Sequence, residues 1–130
     1  DLHQPMHAIG EARGANDIHI SEFGRTECGG HPCNLHLAWD IGLIEHAHKS
    51  EPEYAAHIER LILQANLQKI ATGTPEDWAN ESFKLAHQVW LNDAESVDER
   101  YYRQNVGILD ERLALAGLRL ANLLNRALEQ

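Results

Sequence analysis

The chain changes character at Asn34. Before it, Gly10, Gly14, Gly24, Gly29 and Gly30, with Pro5 and Pro32, break every helical period, so residues 1–33 read as loops. After it, apolar residues recur at helical spacing to the end, and residues 34–130 read as a helical scaffold. One regular piece interrupts the loops. Asp17-Ile18-His19-Ile20-Ser21-Glu22-Phe23 alternates polar and apolar residues, which predicts a short half-buried strand or one arm of a hairpin. The expected class is therefore all-α, a helical bundle with an irregular N-terminal segment. At 130 residues, 1–130 form a single domain able to bury about two thirds of its unfolded surface.

Four helices follow from the caps and periods. Asn34 is a good N-cap and Pro32 blocks a helical run from upstream, which predicts a first helix over 34–48. A second follows Ser50, with Tyr54, Ile58, Leu61, Ile62 and Ala65 on one stripe. Thr74-Pro75-Glu76-Asp77 combines a cap, a first-turn proline and acids at the positive end of the dipole. That helix buries Trp78, Leu85 and Val89 and ends near Leu91. The last helix starts at Asp98 or Val106 and runs to Leu128. Leu109, Leu113, Ala116, Leu120, Leu123, Leu124 and Leu128, widened by Leu115 and Leu118, predict that it is central and covered on most sides.

Chemistry concentrates at the N-terminus, where seven of the nine histidines lie in the first 50 residues. His36 and Asp40 are four apart, one turn above the other on one helix face, so an imidazole nitrogen and a carboxylate oxygen can grip one metal ion together. Asp1-Leu2-His3-Gln4-Pro5-Met6-His7 adds a carboxylate and two imidazoles. His7, His36 and Asp40 make a His/His/Asp set with the open fourth position of a catalytic zinc. A second carboxylate, Asp1, suits a site built around several metals. The net charge of -9 argues against a basic nucleic-acid groove. It leaves room for a nucleic acid handled through bound cations. Cys28 and Cys33 either close a small disulfide loop or join His31 and His36 in a structural Cys/His zinc site; the better use of His36 with Asp40 favours the disulfide. His19, His46, His48, His57 and His87 read as surface or strand-face residues, Arg119 as an ion-pair partner and Trp39 as core.

Three ordered stretches carry a family resemblance: Asp1 to His7, Gly14-Ala15-Asn16-Asp17-Ile18, and Asn34-Leu35-His36-Leu37-Ala38-Trp39-Asp40. They closely resemble the zinc-dependent, single-strand-specific nucleases of the mould S1/P1 type with their plant and bacterial relatives. Trp78-Ala79-Asn80-Glu81-Ser82 and the run from Ala116 to Asn125 are similar to that family's later helices. The resemblance implies a mostly helical fold shared with zinc-dependent phospholipase C. It implies hydrolysis of RNA and single-stranded DNA to 5′-nucleotides by metal-activated water, with a 3′-nucleotidase activity in many members. It implies up to three zinc ions, secretion or export to the periplasm, and a nucleic-acid or nucleotide substrate.

By position, His7, His36 and Asp40 resemble the protein ligands of one zinc and Asp1 the aspartate shared by the other two. Asn16 resembles the asparagine that contacts the substrate phosphate or the attacking water. His3 is close enough to stand behind the ligands. Ala15 departs from the family's second glycine. The family's N-terminal half, with its further zinc ligands and base-stacking aromatic residue, has no counterpart here. The chain, starting at Asp1 without a Met, is thus expected to correspond to the C-terminal half of such an enzyme. It would hold one complete zinc site and associate with an N-terminal half or with copies of itself. A phospholipase C-like phosphodiesterase and a non-catalytic zinc-binding helical module are the alternatives.

Overall fold

The computed structural model describes residues 1–129. Its N-terminal segment is irregular but tightly built. Pro5–Ala8 forms a 3-10 turn with Met6 buried, and the Gln4 side chain caps it by accepting from the Met6 N–H. Glu27–Cys28 (β2) and His31–Pro32 (β3) form a small antiparallel hairpin around Gly29 and Gly30, both at positive φ. Cys28 and Cys33 are bonded to each other. The expected strand over residues 17–23 is shorter than its alternation suggests, Ser21–Glu22 (β1) alone, because Phe23 turns to φ +46°. Its partner is Ser96–Val97 (β4), in parallel register Ser21↔Ser96.

The first helix begins as expected at Asn34, whose side chain accepts from the Leu37 N–H at 2.8 Å. It is not uniform. Leu35–Leu37 (α1) leads into a π turn over Ala38–Gly42, and Leu43–His46 (α2) resumes the α form. The Leu43 N–H reaches back five residues to the Ala38 carbonyl. Gly42 sits against the buried Glu22 carboxylate, where any Cβ would collide.

The remaining helices are Glu51–Gln64 (α3), Pro75–Val89 (α4) and Glu99–Leu128 (α5). Capping boxes of Ser50 with Glu53 and of Thr74 with Asp77 start the first two, and Asp98 caps α5 by accepting from the Tyr101 N–H.

The main core gathers Met6, Ile9, Leu35, Trp39, Leu43, Val89, Val97, Tyr101 and Leu109. Trp39 Nε1 donates to Tyr101 Oη at 2.9 Å, and Tyr101 Oη donates to the Val89 carbonyl at 2.6 Å. One bond line thus ties the π turn to α4 and α5, and burial pushes the Tyr101 hydroxyl well above the usual phenol range. A smaller cluster of Leu67, Ala71, Ala114 and Leu115 packs against Ile58, Leu61, Ile62 and Leu118.

Here the sequence reading of the last helix needs correction. Leu120, Leu123, Leu124 and Leu128 are exposed, Leu128 at 82%, and Leu113 borders on exposure. Leu109 and Leu115 are buried as expected, with Ala114, and the same buried face also carries Tyr101, Asn105, Asp110, Arg112 and Arg119. Helical spacing marks a stripe, but burial needs an element on the other side. Among the described residues, no element packed against this helix covers its last two turns. No described helix is long and apolar enough to cross a membrane.

Candidate metal centre

His7 comes from the N-terminal 3-10 turn, His36 from α1 and Asp40 from the π turn. The fold brings one ligand atom of each within 4.8 Å of the others. The two imidazoles stack, centroids 4.9 Å apart. Asp40 Oδ1 lies 3.1 Å from His7 Nε2, and Asp40 Oδ2 lies 3.3 Å from His36 Nε2. Side-chain exposures of 28%, 20% and 33% leave the group open to solvent.

The proton on His36 is fixed by its other nitrogen. Nδ1 lies 2.7 Å from the Gly14 carbonyl, which can only accept, so Nδ1 carries the hydrogen. A neutral His36 therefore turns the Nε2 lone pair toward an oxygen of Asp40. Two acceptors facing each other at 3.3 Å repel unless a cation sits with them. The donor set of two imidazoles and a carboxylate is the kind that suits zinc, and a ligand histidine commonly donates its second N–H to a backbone carbonyl. The residues fit the metal.

Gly14 reaches His36 because the chain turns left-handed there. Ala12, Arg13, Gly14 and Ala15 have φ of +45°, +52°, +66° and +65°. That conformation costs about 1–2 kcal/mol for each non-glycine residue, a strain that burial and hydrogen bonding around the turn must offset. Ala15 is fully buried, the Ala15 N–H donates to the Glu11 carbonyl, and Asn16 Nδ2 donates to the Arg13 carbonyl at 2.9 Å. Gly14 is required twice over, since a Cβ would come within 2.7 Å of the Met6 carbonyl.

The S1/P1 nuclease family model matches residues 1–129. The chain belongs to the S1/P1 nuclease family. It is 31% identical to Endonuclease 4 of Arabidopsis thaliana over 145 residues, covering 97% of this chain and 46% of that protein. It is equally similar to Endonuclease 3 of that plant, 31% over 147 residues, covering 97% and 47%. Nuclease S1 of Aspergillus oryzae is 24% identical over 147 residues, covering 93% and 48%. The chain spans about half the length of the curated relatives it matches.

In this S1/P1 family chain the other expected site residues fall at different distances from the group. Asp1 is 96% exposed and stands beside His7, its Oδ1 3.4 Å from Nδ1, outside the group of three. Asn16 ends the left-handed turn with its amide drawn back onto Arg13. His3 faces away into an arginine lock: its Nε2 lies 3.0 Å from Arg119 Nη1 and accepts from it. Burial first, then Arg112 and Arg119, lowers the His3 pKa to about 4, which keeps that ring a neutral acceptor.

Arg119 is an ion-pair partner, as its sequence context suggests; with Arg112 it pairs with Glu81, whose carboxyl they hold at about 2. Arg112 Nε and Ser82 Oγ donate to the carbonyls of His3 and Leu2, which fastens the segment leading from Asp1 onto α4 and α5. The disulfide removes the alternative Cys28/His31/Cys33/His36 site, because neither sulfur is a free thiolate. Two contributors escape the sequence reading. Gln4 Nε2 donates to Asp40 Oδ1 at 2.8 Å, and Gly14 supplies the carbonyl for His36. Both lie inside the motif stretches, yet their partners are 36 and 22 residues away.

Proposed function

We propose that this chain is the C-terminal half of a zinc-dependent nuclease. It hydrolyses RNA and single-stranded DNA to 5′-nucleotides, in a secreted or periplasmic setting that agrees with its disulfide. The observation that carries the reading is the meeting of the His36 Nε2 lone pair with Asp40 Oδ2 at 3.3 Å, in an exposed group that also holds His7. His7, His36 and Asp40 hold the ion. Zinc bound there supplies Lewis-acid polarisation of the phosphate and lowers the pKa of a coordinated water.

The chain's own groups position that chemistry. Gly14 holds His36 in the tautomer that presents Nε2, Gln4 fixes one oxygen of Asp40, and the arginine lock sets the path of the segment that carries Asp1. Asp1 serves the further metals of the complete enzyme. Asn16, with one amide hydrogen beyond its bond to Arg13, contacts the substrate phosphate or the attacking water. Three protein ligands and open solvent access favour a catalytic site over a closed structural one.

The remaining half of the fold covers the exposed leucines of α5. From Leu113 to Leu128 these leucines form an exposed apolar stripe of the kind that marks an interaction surface. The test is cleavage of a fluorescent single-stranded RNA by the zinc-loaded chain, alone and with a separately made N-terminal half. Slow cleavage alone and rapid zinc-dependent release of 5′-phosphate ends after addition are expected. Products with 5′-hydroxyl ends, or cleavage indifferent to zinc, would overturn the reading.

A further inference from the structure

We propose that Arg13 is the residue with which this chain grips the substrate phosphate, presented to the metal group by the left-handed turn and held ready by Asp17. The proposal rests on the nuclease reading above. Arg13 lines the same open recess of about 550 Å³ as Asp1, His7, Gly14 and His36. The side chain is 76% exposed. Its Nε donates to both oxygens of Asp17, at 3.0 and 2.9 Å, and its Nη2 donates to Oδ1. Nη1 has no hydrogen-bond partner among the described residues, so the outer edge of the guanidinium is open to a ligand.

An exposed ion pair of this kind adds little stability, and it sits on a backbone turn that is itself costly. What it does accomplish is to order a flexible side chain. Asp17 fixes the inner edge of the fork and leaves the outer edge for a second anion, and a planar guanidinium takes phosphate oxygens two at a time. The turn joins the two tasks: Arg13 and Gly14 are adjacent, so the segment that orients His36 through a carbonyl also aims a cation at the same recess. In a chain of net charge -9, with Asp1 and Asp40 at the site, a phosphodiester needs such a counter-charge beyond the metal.

The experiment uses the zinc-loaded chain and adenosine 5′-monophosphate, with zinc content measured before calorimetric titration. Arg13→Gln should weaken nucleotide binding on the order of tenfold to a hundredfold, the range of a charge-assisted contact. Arg13→Lys should fall between, keeping the charge but losing the fork. Arg60→Gln, the same charge change on an exposed residue of α3, should bind like the parent. Zinc content and melting temperature should be equal in all four proteins. In the parent, the Arg13 Nε–H resonance should move on addition of nucleotide. Zinc bound with R13Q and R60Q binding nucleotide equally would overturn the role of Arg13 and leave the nuclease reading standing. A parent that holds zinc but takes no nucleotide would overturn it as well. A parent that binds no zinc would defeat the nuclease reading, and this proposal with it.

Discussion

Asp40 meets two histidines and Asp110 one, and their surroundings assign them opposite work. At Asp110, Tyr54 Oη donates to Oδ1 and His57 Nε2 donates to Oδ2, both at 2.6 Å. Each oxygen meets a hydrogen, the carboxylate side chain is 10% exposed, and the cluster links α3 to α5. Burial, then the bond to Asp110, pushes the Tyr54 hydroxyl far above the usual phenol range. At Asp40 the side chain is 33% exposed, and Oδ2 faces Nε2 of a histidine whose Nδ1 is already engaged by the Gly14 carbonyl. A histidine–carboxylate pair that satisfies itself is a strut. One that leaves lone pairs converging is a binding site. The same two residue types give either outcome, and a backbone carbonyl at Gly14 decides between them.

The largest effect should come from breaking the strut. Asp110→Ala strands a buried Tyr54 hydroxyl and removes the partner of His57, which should cost about 2–4 kcal/mol in denaturant unfolding while zinc stoichiometry stays unchanged. Loss of zinc in that variant would erase the contrast. Next comes Gly14→Ala, which touches no ligand. The positive φ and the approach to the Met6 carbonyl should cost at least about 2 kcal/mol. The displaced carbonyl should also release His36, so zinc affinity, read by competition with a chromogenic chelator, should drop. Unchanged affinity would show that Gly14 does not orient the ligand.

The smallest effect concerns a third histidine. The unfolded chain binds a proton at His3 near pH 6.5, whereas the folded chain does so only at about 4. Stability from this group is therefore complete above pH 6.5 and is lost as pH falls toward 4. Below about 4.5, Glu81 adds a loss of the same sign. Melting curves in chelator should show the decline, and His3→Gln should flatten it between pH 6.5 and 4.5. An equal slope in parent and variant would contradict the lock.

Much of this site can be read without coordinates. The four-residue spacing puts His36 beside Asp40, and the motif at residues 1–7 supplies His7. What spacing does not carry is the second partner of each group, since Gln4 to Asp40, Gly14 to His36 and Arg112 to His3 join residues far apart in sequence. The π turn is equally hidden, as is the close approach of the buried Glu22 to Gly42 at its end. The last helix is misread toward its end for the reverse reason. Leu109 and Leu115 are buried as their period suggests, but Leu120, Leu123, Leu124 and Leu128 are exposed, and Asn105, Asp110, Arg112 and Arg119 share the buried face; the two arginines and the aspartate find partners on other helices, and Asn105 donates to the Tyr101 carbonyl one turn back.

The contrast between Asp40 and Asp110 is tested most directly by counting metal. Elemental analysis at neutral pH should find at least one zinc per parent chain, at least one fewer in His36→Ala, and the parent value in His57→Ala. Equal zinc in H36A and H57A would contradict the account, whatever the two variants did to stability.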